Sequence, residues 1–149
     1  MVEKDSKGLV HVYTGDGKGK TTAALGLAMR AVGQSMKVTF IQFLKGQPCG
    51  VHFFASQYKP FDIVQISVGD SFSKSKDQLS REAQQTLSYA EQEILNGNYD
   101  LVILDEIFVA IDQGLITVKQ VLDLLDSKPS SVELVLTGRK APPEIVQRA

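Results

Sequence analysis

The residue types with the clearest chemistry lie near the amino terminus, in the stretch GDGKGKTT at positions 15–22. The three glycines of this stretch permit a tight backbone turn whose N–H groups stay open to a polyphosphate. Lys20 can place an ammonium group on the phosphates, and Thr21 can place a hydroxyl group on Mg²⁺. A helix that begins at Thr21 would add the positive end of its dipole to the same anion. The stretch therefore predicts a phosphate-binding loop.

This loop departs from the nucleotide-binding pattern G-x-x-x-x-G-K-[ST] at one position. The first glycine of the pattern falls at position 14, where the chain has Thr14, whereas Gly19, Lys20 and Thr21 all fit. The other interpretation is a glycine-rich hairpin loop whose two lysines serve solubility. Because a strand-like segment precedes the loop and a helix-like segment follows it, the context favours the phosphate loop.

A second chemical pattern lies at positions 101–106, where four apolar residues are followed by Asp105 and Glu106. Such a run predicts a buried parallel strand whose carboxyl end delivers acids to the ligand-binding edge of a sheet. In phosphate-loop proteins an acid at this place holds Mg²⁺, directly or through water. A strand that ends in solvated acids is the other interpretation. The phosphate loop upstream favours the metal-binding one, because each motif supplies what the other needs.

The order of the predicted strands and helices indicates an α/β fold with a mostly parallel sheet and flanking helices. β-rich runs predict strands at 9–13, 37–43, 63–68, 101–104 and 132–136. Apolar residues at helical spacing predict helices at 21–32, 77–96 and 107–112, and one that begins after Thr117 and ends before Pro129. The first strand, first helix and second strand form a βαβ unit with a right-handed crossover. The glycines and proline of 44–50 predict a loop at the carboxyl edge of the sheet.

Further polar side chains are predicted at this edge. Arg139 follows the last strand, where an arginine can meet a phosphate or a developing charge. Gln42 and Lys45 lie at the end of the second strand. Cys49 lies in the loop that follows, and since nothing beside it in the sequence indicates a reactive thiol, we predict no role for it.

Composition excludes several classes of function. The chain has 149 residues, of which 43% are hydrophobic and 22% charged, as expected of one globular domain. With 16 Lys and Arg against 17 Asp and Glu, it has no overall basic field that would favour nucleic acid. A single cysteine excludes an internal disulfide and a cysteine-rich zinc site. Without a signal peptide or a long apolar run, the sequence predicts a soluble cytoplasmic protein that binds neither nucleic acid nor membrane.

Five motifs together resemble one known family. They are TGDGKGKTTAA at 14–24, RAVG at 30–33, QFLKG at 42–46, LDE at 104–106 and TGR at 137–139. In order and spacing they are similar to the ATP:corrinoid adenosyltransferases of the P-loop type, also called cob(I)alamin adenosyltransferases. Thr14 in place of the first glycine is itself like this family. The resemblance runs from about residue 9 to the end of the chain and implies a P-loop NTPase (RecA-like) architecture.

The resemblance also implies a reaction. In this family a cobalt(I) corrinoid attacks the 5′ carbon of ATP, which forms a cobalt–carbon bond and expels triphosphate. Lys20, the loop amides and Mg²⁺ would then stabilise the negative charge that gathers on the leaving group. No general base is required, because the cobalt nucleophile is already electron-rich. The implied partners are the small molecules ATP and reduced corrinoid, a second copy of the chain in a homodimer, and an electron-donor flavoprotein.

The resemblance assigns roles to particular residues. It implies catalytic roles for Lys20, Thr21 and Glu106, and metal binding by Thr21, Asp105 and Glu106. The residues that it implies for ATP binding are Gly15, Asp16, Gly17, Lys18, Gly19, Lys20, Thr21, Thr22, Arg30 and Arg139. On the corrinoid side the family commonly carries an aromatic segment with a tryptophan, whereas this chain has no tryptophan, and Phe72 would substitute.

The chain is shorter than the family at both ends, so we expect activity to be reduced or to depend on a dimer partner. Two other functions stay open. A P-loop ATPase or kinase would use the same loop to cleave the γ-phosphate, and an ATP-binding module would bind the nucleotide without turnover. The identity of the phosphate product separates these alternatives from the adenosyltransferase.

Overall fold

The computed structural model describes residues 7–44, 49–67, 69 and 71–149 of the chain. The strands in these ranges are β1 (Val10–Thr14), β2 (Val38–Gln42), β3 (Asp62–Gln65), β4 (Leu101–Asp105) and β5 (Glu133–Gly138). They form one sheet in the order β1-β5-β4-β2-β3, and every neighbouring pair is parallel. The predicted α/β class with a parallel sheet is therefore confirmed.

Helices flank this sheet. They are α1 (Lys20–Gly33), α2 (Gly50–Tyr58), α3 (Lys76–Leu95), α4 (Ile107–Asp112), α5 (Val118–Ser127) and α6 (Pro143–Val146), with a short 3-10 turn at Ser71–Ser73. Within the described ranges, every helix is too short or too polar to cross a membrane.

Both faces of the sheet are covered by apolar side chains, which alternate along each strand. In β4, Val102 and Leu104 face the larger cluster, to which α3, α4 and α5 contribute. Leu101 and Ile103 face the smaller cluster, which α1 covers with alanines. Those alanines, Ala24, Ala28 and Ala31, are at most 6% exposed. Their small side chains let α1 pack close to the sheet, and this closeness holds the preceding loop against the carboxyl edge.

Two helix boundaries show the backbone and side-chain features of helix caps. The hydroxyl of Thr117 accepts a hydrogen bond from the backbone N–H of Gln120 at 3.1 Å, and the Gln120 side chain accepts one from Thr117 N–H at 2.9 Å. This reciprocal pair begins α5, as the sequence predicted. Gly97 follows α3 with a φ of 73°, the left-handed conformation that ends helices.

Helix α2 was not predicted, and the third strand was predicted too long. Only Ala55 of α2 is buried. Its apolar residues Val51, Phe54, Ala55 and Tyr58 nevertheless follow the i, i+3, i+4, i+7 spacing of a helical face, a signal in the sequence that the prediction missed. Its exposed residues include Phe53, Phe54 and Tyr58. β3 ends at Gln65, whose partner Gln42 is the last residue of β2, and an edge strand stops where its one neighbour stops. Residue 68, the predicted end of this strand, lies outside the described residues.

Gly138 ends β5 against α4, and we expect Gly138→Ala to destabilise the protein. Gly138 has a φ of 141°, and a Cβ there would lie 2.7 Å from Phe108 Cβ and 3.1 Å from Phe108 N. The strained backbone and the clash together are expected to lower the free energy of unfolding by roughly 2–4 kcal/mol, measured by urea denaturation. Gly26 in α1 has open space around its Cβ position, so Gly26→Ala should raise stability by about 0.5–1 kcal/mol. Unchanged stability of Gly138→Ala would contradict the close approach of β5 to α4.

Candidate functional site

The loop between β1 and α1 has the backbone geometry of an anion cradle. Gly15 and Gly19 adopt φ values of 123° and 106°, which a residue with a Cβ rarely adopts. Gly19 is the N-cap of α1, and among the described residues no side chain accepts a hydrogen bond from the first N–H groups of this helix. Those N–H groups and the helix dipole therefore stay available to an anion at the loop.

Lys20 is held over this loop. Its Nζ donates a hydrogen bond to the carbonyl oxygen of Gly17 at 2.7 Å. The side chain therefore folds back across the turn, and Lys20 lines the same pocket as the loop glycines Gly17 and Gly19.

A pocket of about 610 Å³ opens between the loop and the carboxyl ends of β4 and β5. Its lining residues are Asp16, Gly17, Lys18, Gly19, Lys20, Thr21, Thr22, Glu106, Val109, Asp112, Arg139 and Lys140. Four of these carry positive charge and three carry negative charge. The cations and the helix N-terminus converge on one cavity, so the pocket suits a polyphosphate although the chain as a whole has a net charge of −1.

Asp105 lies beneath this pocket and is fully buried. Its Oδ1 accepts hydrogen bonds from Thr21 Oγ1 at 2.9 Å and from Thr137 Oγ1 at 2.7 Å, and its Oδ2 accepts one from Gln42 Nε2 at 3.1 Å. These donors compensate for the removal of the carboxylate from water. They come from α1, β5 and β2, so the carboxylate ties the phosphate loop to the centre of the sheet.

Glu106 follows in an unusual backbone conformation. Its φ is 66°, in the left-handed region, and its N–H donates to Thr137 Oγ1 at 3.0 Å. This conformation costs energy for a residue other than glycine and recurs at functional sites. The turn directs the chain from β4 into α4 and leaves Glu106 half-buried on the wall of the pocket.

The oxygen atoms at this edge fit Mg²⁺. Thr21 supplies a hydroxyl, and Asp105 and Glu106 supply carboxylates, which are the hard ligands that this ion prefers. In the described part of the chain, no group of three or more His, Cys, Asp or Glu residues could hold a metal. Mg²⁺ usually takes one or two carboxylates and completes its shell with phosphates and water.

The structure brings together most of the predicted site residues but not all of them. Arg30 is exposed in the last turn of α1, ten residues beyond Lys20 and therefore about 15 Å along the helix axis. Phe72 is 95% exposed on the 3-10 turn. Gln42 is buried beside Asp105 rather than open to a ligand, and Lys45 lies outside the described residues. The assignments of Arg30 to ATP and of Phe72 to the corrinoid stay predictions.

Three residues on the pocket wall were not predicted. Lys140 follows Arg139 directly, with a φ of 56° that turns the chain back toward the loop. Ala141 N–H then donates to Thr14 Oγ1 at 3.0 Å, which joins the end of β5 to the start of the loop. Val109 and Asp112 line the pocket from α4. The position of Lys140 beside a predicted cation was a signal in the sequence, whereas the two α4 residues required the turn at Glu106.

Comparison with known proteins shows which family this chain resembles over most of its length. A family model described as "ATP:corrinoid adenosyltransferase BtuR/CobO/CobP" matches residues 6–149. A corrinoid adenosyltransferase of Pseudomonas aeruginosa is 31% identical over 98% of the chain and 73% of its own length. A corrinoid adenosyltransferase of Escherichia coli is 28% identical over 98% of the chain and 75% of its own length. An uncharacterized protein of Nostoc sp. is 34% identical over 95% of the chain but 42% of its own length. The matched range includes the loop, the pocket and the Asp105 network.

Proposed function

Because the chain belongs to the ATP:corrinoid adenosyltransferase family, we propose that its pocket transfers the 5′-deoxyadenosyl group of ATP to the cobalt(I) of a cobalamin-type corrinoid. The observation that supports this most is the hydrogen bond from Thr21 to Asp105 beneath a pocket that four cations line, two from the loop and two from the end of β5. Such a site binds the triphosphate of a nucleotide and leaves its nucleoside end open to a second substrate.

The proposed step needs an electron pair but no proton. Cobalt(I) supplies the pair that forms the Co–C5′ bond, and the C5′–O bond breaks with its electrons passing to the triphosphate. The leaving group therefore gains negative charge at the end nearest the nucleoside. Lys18, Lys20 and Arg139 line the pocket, and cations placed there stabilise charge that develops on a leaving group. Of the three, Lys20 is already held at the loop by its hydrogen bond to Gly17.

We assign the metal to Thr21, Asp105 and Glu106. Bound there, Mg²⁺ would supply positive charge to the triphosphate oxygens. Asp105 is held by its three hydrogen bonds, whereas Glu106 lies on the pocket wall and would hold the ion directly or through water. The two acids would therefore have unequal roles, with Asp105 orienting Thr21 and Glu106 facing the substrate.

We assign Phe72 to the corrinoid because of the resemblance to the family and because its side chain is exposed. Phe72 presents almost its whole ring to solvent, so it can pack on an apolar substrate without first leaving a core. A homodimer, an electron-donor flavoprotein and a cytoplasmic location are further parts of the proposal.

The identity of the products tests the proposed function. We expect anaerobic incubation with Mg-ATP and chemically reduced cobalamin to yield adenosylcobalamin, followed by its visible spectrum, together with inorganic triphosphate. Tight ATP binding without the spectral change would instead indicate a nucleotide-binding module. Release of ADP and phosphate with no cobalt product would indicate an ATPase. Either of these two results would overturn the adenosyl transfer.

A further inference from the structure

A chain of hydrogen bonds leads from Asp105 away from the pocket to α2. Gln42 and Asp105 are register partners on neighbouring strands, so their side chains lie side by side at the ends of β2 and β4. Gln42 Nε2 donates to Asp105 Oδ2 at 3.1 Å, and Gln42 is 1% exposed. The threonine hydroxyls both bind Oδ1, so the described hydrogen bond that fixes Oδ2 comes from Gln42.

The orientation of the Gln42 amide is itself set by two further side chains. Gln42 Oε1 lies 2.8 Å from His52 Nε2 and accepts a hydrogen bond from Gln65 Nε2 at 3.0 Å. Rotating this amide by half a turn would place its oxygen against the Asp105 carboxylate and its NH₂ group against both of these donors. Both ends of the amide therefore favour the same orientation.

The tautomer of His52 follows from its other ring nitrogen. The backbone N–H of Cys49 donates to His52 Nδ1 at 2.9 Å, so Nδ1 is an acceptor and the proton lies on Nε2. His52 Nε2 therefore donates to Gln42, in agreement with the amide orientation. Because His52 belongs to the first turn of α2, this helix is joined to the metal site through two side chains.

We propose that Gln42 and His52 are positioning residues, which hold the Asp105 carboxylate in the orientation that serves Thr21 and Mg²⁺. The inference rests on the proposed function and extends it, since neither side chain lines the phosphate pocket. Without the Gln42 donor, Oδ2 would lose its fixed partner and the carboxylate could rotate away from the metal. Replacing a residue that holds a metal ligand in place typically costs 10–100-fold in metal affinity, so we expect about tenfold here.

Substitutions of His52 test the proposal, since this residue is only partly buried. His52→Phe keeps the volume of the ring but cannot donate, whereas His52→Gln keeps an N–H donor near the position of Nε2. ATP binding is titrated with Mg²⁺ by calorimetry. We expect His52→Phe to raise the Mg²⁺ concentration for half-maximal binding about tenfold. His52→Gln should remain within about twofold of the wild type, because the donor that orients Gln42 is retained.

Gln57→Ala is the matched control, because Gln57 is exposed on the same helix and lies outside the network. Thermal denaturation of each variant confirms that it is folded, and His52→Leu replaces His52→Phe if the phenyl ring disrupts α2. Wild-type Mg²⁺ dependence in the donor-free variant, or equal losses in His52→Phe and His52→Gln, would overturn the inference. Failure of the wild-type protein to bind Mg-ATP would overturn the proposed function instead, so the two failures are distinguishable.

Discussion

Lys20→Ala is expected to lower kcat/KM for adenosyl transfer by about a thousandfold, the upper range for removing one fixed donor from a developing charge. The ammonium group is the cation held directly over the loop, through its hydrogen bond to Gly17. Alanine keeps the helix, since it is the best helix former, but leaves the triphosphate without this charge. The rate of adenosylcobalamin formation under anaerobic conditions measures the loss, and equilibrium binding of Mg-ATP shows how much of it lies in affinity.

The control is Lys119→Ala. Lys119 forms an exposed ion pair with Asp123 on α5, and such pairs contribute about 0–1 kcal/mol to stability. Activity of this variant should equal that of the wild type. Normal turnover by Lys20→Ala would contradict the assignment of positions 15–22 as the phosphate loop, whatever the family of the chain.

The parts of the site that could be predicted are those formed by consecutive residues. Positions 15–22 combine backbone freedom, charge and a helix start in one short stretch, and Asp105 follows the apolar strand that carries it. Parallel strands present their carboxyl ends at one edge, so the two patterns could be placed together from the sequence alone. The order of the strands was not predictable in this way. β5 lies between β1 and β4, and this placement brings Thr137 to Asp105 across 32 positions of the chain.

The hydrogen bonds that orient Gln42 beside Asp105 depend in part on α2, a helix that we did not predict. Gln42 could be placed at the ligand edge, but its burial and its hydrogen bond to His52 require α2 to pack beside β2. The apolar spacing of Val51, Phe54, Ala55 and Tyr58 can reveal a helix, but it does not show that His52 on this helix lies against Gln42. Arg30 shows a limit of motifs. Its place in a motif that resembles the family led us to assign it to ATP, whereas the rise of α1 places it far from Lys20.

Asp105→Asn is expected to lower adenosyl transfer by at least about a hundredfold, because it removes the charge of a proposed metal ligand and disturbs the hydrogen bond that positions Thr21. The three described side chains around Asp105 all donate to it. An asparagine has one acceptor oxygen and one NH₂ group, so a donor would face another donor at Oδ2. Gln42 cannot relieve this conflict by rotating, since its own oxygen faces His52 and Gln65. We expect the free energy of unfolding to fall by about 1–3 kcal/mol as well.

The loss of metal binding and the loss of stability can be separated by titration with Mg²⁺. If Asp105 binds the ion, the Asn variant should need far more Mg²⁺ for ATP binding than any His52 variant, because a ligand is lost rather than its support. Asp123→Asn, which removes an exposed carboxylate from α5, controls for the change in charge. A variant that is less stable but keeps the wild-type Mg²⁺ dependence would show that Asp105 only braces Thr21. Glu106 would then be the acid that meets the metal, and the hydrogen bonds from Gln42 and His52 would serve the fold rather than the ion.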